Sequence, residues 1–317
     1  MSGNRNSIEC ALPLSEEQKL FYFNPKIRNT VIVGRQYYDG EMDLSLLAKV
    51  LRELVHVHDI LRTVFSRNIF APRQYLVDAD AFDIEIVTSK DLDNKMPDYK
   101  ALDDHNTRID ALQNIAYKTA FNLSKAPLFK LYAYTDEPGK TVLVIAINHI
   151  ISDSESLNVF FKDLLRLYAN DKPARRELQF GNYLQRINEE SRRKDSYKKD
   201  YQWHQENLKD NCLYAGLLPN KRIKRNVVKK GDPWGEGIIY ALSEPLNDVI
   251  AKLCQEYRVS PLVIFITAAG ITSYKKMGTE KFLVNALFGN RVLWGSDAII
   301  GCLVKAIFVY FKVSGSS

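Results

Sequence analysis

Apolar and polar positions change period several times along the chain, and each change marks an element. Thr141 to Ile147 is one continuous apolar, largely β-branched series, which suits a strand buried on both faces rather than one facing water. The polar stretch Asn148 to Ser156 interrupts it, after which Leu157, Phe160, Phe161, Leu164, Leu165 and Tyr168 recur at helical spacing. Ser152 followed three residues later by Glu155 has the form of a capping box, so the helix is expected to open at Ser152. Upstream, Leu14 to Phe23 reads as an amphipathic helix and Thr30 to Tyr38 as a strand. Asp43 is placed to cap a helix with Leu44, Leu47, Leu51, Leu54 and Val57 on its apolar face.

The same reading extends to the C-terminal end. Asp80 to Lys100 is polar and acidic around the short strand Ile84 to Val87 and predicts a surface excursion. Asn170 to Glu177 turns polar around Pro173, the expected crossing between two lobes at residues 1–172 and 173–317. Beyond it come a long charged helix through Tyr201 and Trp203 and a strand within Gly235 to Leu242. Two helices are opened by Ser243 with Pro245 and by Ser260 with Pro261. Strands alternating with helices in this way define an α/β fold.

His149 and Asp153 fall in the break between the buried strand and its helix. In α/β sheets ligands collect at the carboxyl ends of strands, so an imidazole and a carboxylate placed there are candidates for chemistry. Imidazole takes and returns a proton near neutral pH once its ring is oriented, and Asp153 is available to orient it. A hydrogen-bonded structural histidine fits the same pattern, and the spacing alone does not separate the two. No third ligand lies near enough to argue for a metal. His56 and His58 alternate, but they fall at a helix end rather than on one face of a strand.

Composition narrows the class. A chain of 317 residues can bury a large core. No apolar run approaches the roughly 18 to 20 residues of a membrane span, and the first ten residues lack the apolar core of a signal peptide, which points to the cytoplasm. Cys10, Cys212, Cys254 and Cys302 are scattered, suggesting neither a zinc site nor a disulfide framework. The net charge is +6, concentrated at Lys221, Arg222, Lys224, Arg225, Lys229 and Lys230. Such a run is a solvated loop or a dock for an acidic partner or phosphate. No nucleic-acid-binding motif or interleaved aromatic accompanies it.

Asn148 to Ser156, NHIISDSES, resembles the HHxxxDG motif of the condensation domains of non-ribosomal peptide synthetases, within the chloramphenicol-acetyltransferase-like acyltransferases. Further segments fall in that family's order. Gln18, Leu20 and Phe21 match its opening SxAQxRLW motif, His58 to Phe65 matches RHExLRTxF, and Phe121 to Tyr134 matches FDLSxxPLxRxxL. There Pro127 is expected to end a helix and feed the strand beside the active-site strand. Gln179 to Glu190 loosely resembles YxDYAxWQ. Phe282 to Arg291 ends like the family's GNR turn, and Ile300 to Val313 resembles IGxFVNTLPLRV.

The resemblance implies two lobes forming a V around a central tunnel. It also implies that the family's domain continues by roughly a further third, leaving the second lobe incomplete here. It implies that His149 is catalytic, that Arg62 forms an ion pair with Asp153, and that no metal and no tightly bound cofactor takes part. Substrates would be acyl or peptidyl thioesters and aminoacyl groups on the 4′-phosphopantetheine arms of donor and acceptor carrier proteins, beside adjacent synthetase domains. The implied reaction is amide formation; the alternatives are a CoA-dependent acyltransferase and an impaired fragment that docks carriers or serves as scaffold. Asn148 stands for the motif's first histidine, Ser154 for its glycine and Lys305 for an asparagine. A serine at Ser154 would be strained if the position required positive φ.

Overall fold

The structure, a computed structural model, describes residues 10–102, 104–135, 140–171, 178–193, 196–208, 213–214, 242–278 and 280–313. The chain divides into two compact units, Met1–Arg192 with Gly289–Val304, and Arg193–Phe288 with Lys305–Ser317. The division falls later than the expected break at residue 172, and the first unit regains a segment from far along the chain.

The first unit runs β1 (Cys10–Pro13), α1 (Glu16–Phe23), β2 (Val31–Asp39), α2 (Leu44–Val57), β3 (Thr63–Phe65), β4 (Arg73–Leu76), β5 (Ile86–Thr88), α3 (Ser89–Lys95), α4 (Pro97–Lys100), α5 (His105–Tyr117), β6 (Phe129–Tyr134), β7 (Lys140–Asn148), α6 (Ser154–Tyr168) and α7 (Phe180–Arg193). Its main sheet has the order β2-β7-β6-β5, and β1-β4-β3 forms a smaller antiparallel sheet. In β7, Leu143, Ile145 and Ile147 pack with Leu47 and Leu51 of α2 and Phe160 and Leu164 of α6. Val142, Val144 and Ala146 pack with Ile109, Leu112 and Ala116 of α5 on the other face. Helices thus cover both faces, which is why the strand reads as an unbroken apolar run; each large side chain buried there stabilises by about 1.5–3 kcal/mol. A Cβ at Gly34 would stand 3.0 Å from both Leu157 and Phe161, so the absence of a side chain lets α6 close on β2.

Two expectations change here. Asp80 to Lys100 is not a surface excursion: β5 pairs parallel with β6, and Val87, Leu92 and Tyr99 are buried. Its polar composition hid a one-sided burial, with α3 capped reciprocally by Thr88 and Asp91. Pro127 ends no helix, since α5 stops at Tyr117; β6 does lie beside β7, as expected.

The second unit holds α8 (Ser196–Leu208), β8 (Leu213–Tyr214), α9 (Glu244–Tyr257), α10 (Pro261–Met277), β9 (Lys281–Phe288) and β10 (Lys305–Lys312). Its sheet has the order β10-β9-β8, with β9 and β10 antiparallel from Lys281↔Lys312 to Phe288↔Lys305. Ser243 and Ser260 stand at the caps of α9 and α10 with Pro245 and Pro261 just inside, and Gly278 ends α10 at φ 68°. The basic run Lys221 to Lys230 and the expected strand in Gly235 to Leu242 lie outside the described residues, as does most of the expected crossing around Pro173. Among the described residues no helix is long and apolar enough to cross a membrane.

Candidate active site

β7 ends at Asn148, and a 3-10 turn, His149–Ile151, connects it toward α6. The turn is tied on several sides. Asn148 N donates to Leu128 O at 2.9 Å and His149 N to Thr30 O at 2.9 Å. Asn148 is fully buried and caps the turn, its Oδ1 accepting from Ile150 N at 3.0 Å and its Nδ2 donating to Arg28 O at 3.2 Å. Asparagine therefore does structural work at the first motif position with its own amide.

The ring of His149 is half-buried and stacked on Phe21, with centroids 4.5 Å apart and planes 27° from parallel. Its Nδ1 lies 2.8 Å from Ser152 O. A carbonyl only accepts, so that bond requires the proton on Nδ1, and in the neutral ring the lone pair is then on Nε2. Asp153 does not orient the ring, contrary to expectation; the backbone carbonyl one residue before it does.

Asp153 is instead the N-cap of α6, forming the capping box with Ser156, so the helix opens one residue later than the Ser152–Glu155 pattern implied. Ser152 Oγ turns back onto Asn148 O at 3.0 Å, which removes it as a cap. Asp153 Oδ1 accepts from Ser156 N at 2.9 Å, Ser156 Oγ at 2.6 Å and Arg291 Nη2 at 2.8 Å. Its Oδ2 accepts from Arg291 Nη1 at 2.9 Å and Leu303 N at 3.1 Å. Side chains of Asp153 and Arg291 are 3% and 7% exposed, so this is a buried, bidentate pair with its remaining acceptor capacity used. Ser156 Oγ also accepts from Gly301 N at 3.0 Å.

The expected pair between Arg62 and Asp153 does not form. Arg62 binds Asp59 Oδ1 through Nη2 at 2.8 Å and Val77 O through Nη1 at 3.0 Å. Arg291 takes its place, presented by the GNR turn that follows β9. Asn290 occupies the left-handed region at φ 51°, which asparagine tolerates better than most residues, and the Tyr183 hydroxyl of α7 donates to its carbonyl. Arg291 also reaches Glu155 Oε2 at 3.1 Å and Ile299 O at 3.2 Å. In the sequence the GNR turn offers a cation, but nothing there ties it to Asp153.

Ser154 is the first residue of α6, exposed and without positive φ, so no strain arises there. It lines a groove of about 420 Å³ with Gly34, Leu157, Phe161 and Lys162. Buried Cys302 sits close enough for the Asp153 carboxylate to add to the effect of burial, and its thiol is pushed well above the usual 9.0. His58 is held inside the fold: its Nε2 donates to Asp163 Oδ2 at 2.9 Å, both buried, joining the end of α2 to α6. His56 faces Asp80 at the surface.

The sequence matches the Condensation domain family over residues 11–316. Surfactin synthase subunit 1 of Bacillus subtilis (strain 168) is 22% identical over 277 residues, 87% of this chain and 7% of that protein. Bacitracin synthase 2 of Bacillus licheniformis is 23% identical over 307 residues, 93% of this chain and 11% of that protein. The chain thus spans about a tenth or less of these relatives' length. Among solved structures, the condensation domain from the monacolin K polyketide synthase MokA superposes with a TM-score of 0.77 at 15% identity, covering 97% of this chain and 69% of that one. With the family's match running almost end to end, the chain belongs to the Condensation domain family.

Proposed function

We propose that this protein forms amide bonds between thioester-bound groups, with His149 as the proton-accepting residue. The observation that carries the reading is the His149 Nδ1 bond to Ser152 O, which leaves Nε2 free to accept. The acceptor's amine attacks the donor's thioester carbonyl, Nε2 takes the proton the nitrogen sheds, and the C–S bond breaks. The departing thiolate takes up that proton from Nε2, which restores the base. Donor and acceptor are held on 4′-phosphopantetheine arms of carrier proteins, within a synthetase whose adjacent domains deliver them. Asp153 and Arg291 hold the turn and do not touch substrate. Asn148 caps the turn with its amide bonds made and Ser154 opens α6 without positive φ, which supports an active site over an impaired one.

The test is single-turnover condensation between loaded carriers, read by intact mass. His149→Ala is expected to keep its fold and lose about 10²- to 10⁴-fold in rate. A variant with the wild-type rate removes the catalytic assignment.

A further inference from the structure

Helix α1 aims two side chains at the His149 turn from one face, Gln18 and Phe21, three residues apart. Gln18 is fully buried. Its Oε1 accepts from Ser15 N at 3.0 Å, so the reciprocal cap of α1 fixes the plane of the amide. Its Nε2 then donates to Ile150 O at 3.2 Å and to Gln74 Oε1 at 3.1 Å. Ile150 is the middle residue of the turn that begins with His149. Only a primary amide offers one acceptor and two donors in this geometry; a glutamate lacks the donors and a methionine lacks both functions. Phe21 meanwhile stacks on the imidazole at 4.5 Å.

We propose that Gln18 and Phe21 are positioning residues for His149. Gln18 pins the carbonyl at the centre of the turn, and Phe21 fixes the ring plane. Together they keep Nδ1–H on Ser152 O and the lone pair on Nε2. Without the Gln18 donor, the Ile150 carbonyl sits in a dry core with its hydrogen bond unmet, and the turn shifts to find another. The inference rests on the reading of His149 as the base, and its primary readout is independent of activity.

That readout is the tautomer of His149 in the 317-residue protein, from long-range ¹H–¹⁵N spectra of histidine-labelled samples. The chain has five histidines, and the His149 signals are those lost in His149→Gln. Wild type is expected to show the Nδ1–H form. Gln18→Met and Phe21→Leu are each expected to introduce the Nε2–H form. Gln74→Met, which removes the other acceptor while Ser15 still holds the Gln18 amide, is expected to leave the tautomer unchanged. In single-turnover condensation Gln18→Met should lose about 10- to 100-fold in saturating rate at unchanged half-saturating carrier concentration, the scale of a small misplacement of a reacting group. If Gln18→Met does not fold, Phe21→Leu decides the question. Nδ1–H retained in the folded variants overturns the inference, as does a Gln74→Met tautomer that moves as far as that of Gln18→Met. An undiminished rate for His149→Ala sinks the proposed function instead, leaving the tautomer result standing.

Discussion

Asp153 joins parts of the chain that local pattern does not connect. His149 and Asp153 are legible because they occupy a polar break between a buried strand and an amphipathic helix. Arg291 is not, since it stands 138 residues from Asp153 and nothing near either one encodes the direction of its side chain. Arg62, the nearer arginine by motif, is satisfied by Asp59 three residues before it. Removing one member of a buried pair strands the other charge at a cost of about 3–5 kcal/mol, so Asp153→Ala and Arg291→Met should each destabilise on that scale. The double variant should cost less than the sum, with a coupling of roughly 0.5–3 kcal/mol. Asp153→Ala with Arg62→Ala should be additive. Urea unfolding of the two cycles checks this, and coupling in the Arg62 cycle alone would reverse the assignment.

At the scale of elements, the starts of α2, α9 and α10 were legible, those of α3, α4 and α5 were not, and the one that matters most was displaced. Asp43 caps α2 through its side chain to Ser45 N and Leu46 N, as its position before an apolar helical face implied. Around α6, Ser152, Asp153 and Ser154 are all good capping types, and propensity does not choose among them. Contacts made outside the helix choose: Ser152 is taken by Asn148 O, and Asp153 is held by Arg291 and Leu303. Ser154 follows as an ordinary first helical residue. Ser154→Gly therefore has no strain to relieve, and it should lower stability by up to about 1 kcal/mol, the usual penalty for glycine in a helix. A rise in the urea midpoint would show strain that the backbone angles do not.

For the whole molecule, the doubly covered strand β7 was legible because burial on both faces leaves an unbroken apolar run, whereas the return of Gly289–Val304 to the first unit was not, since it depends on contacts of high sequence separation. The second unit raises a different matter. From Pro261 to Tyr274 helix α10 carries no charged residue, and a helix apolar on every side is ordinarily buried. Here Leu262, Val263, Phe265 and Ile271 are each more than 40% exposed, as are Leu287 of β9 and Phe308 of β10. Exposed apolar surface of this kind marks an interaction face or a liability to associate. The isolated 317-residue protein should accordingly bind an apolar dye, and its mass by light scattering should rise with concentration. Val263→Lys with Phe265→Lys should lower both signals, because charges at two exposed positions of α10 oppose its burial against another copy. A mass that stays monomeric across the concentration series, with no dye bound, would show that this surface is covered within the chain.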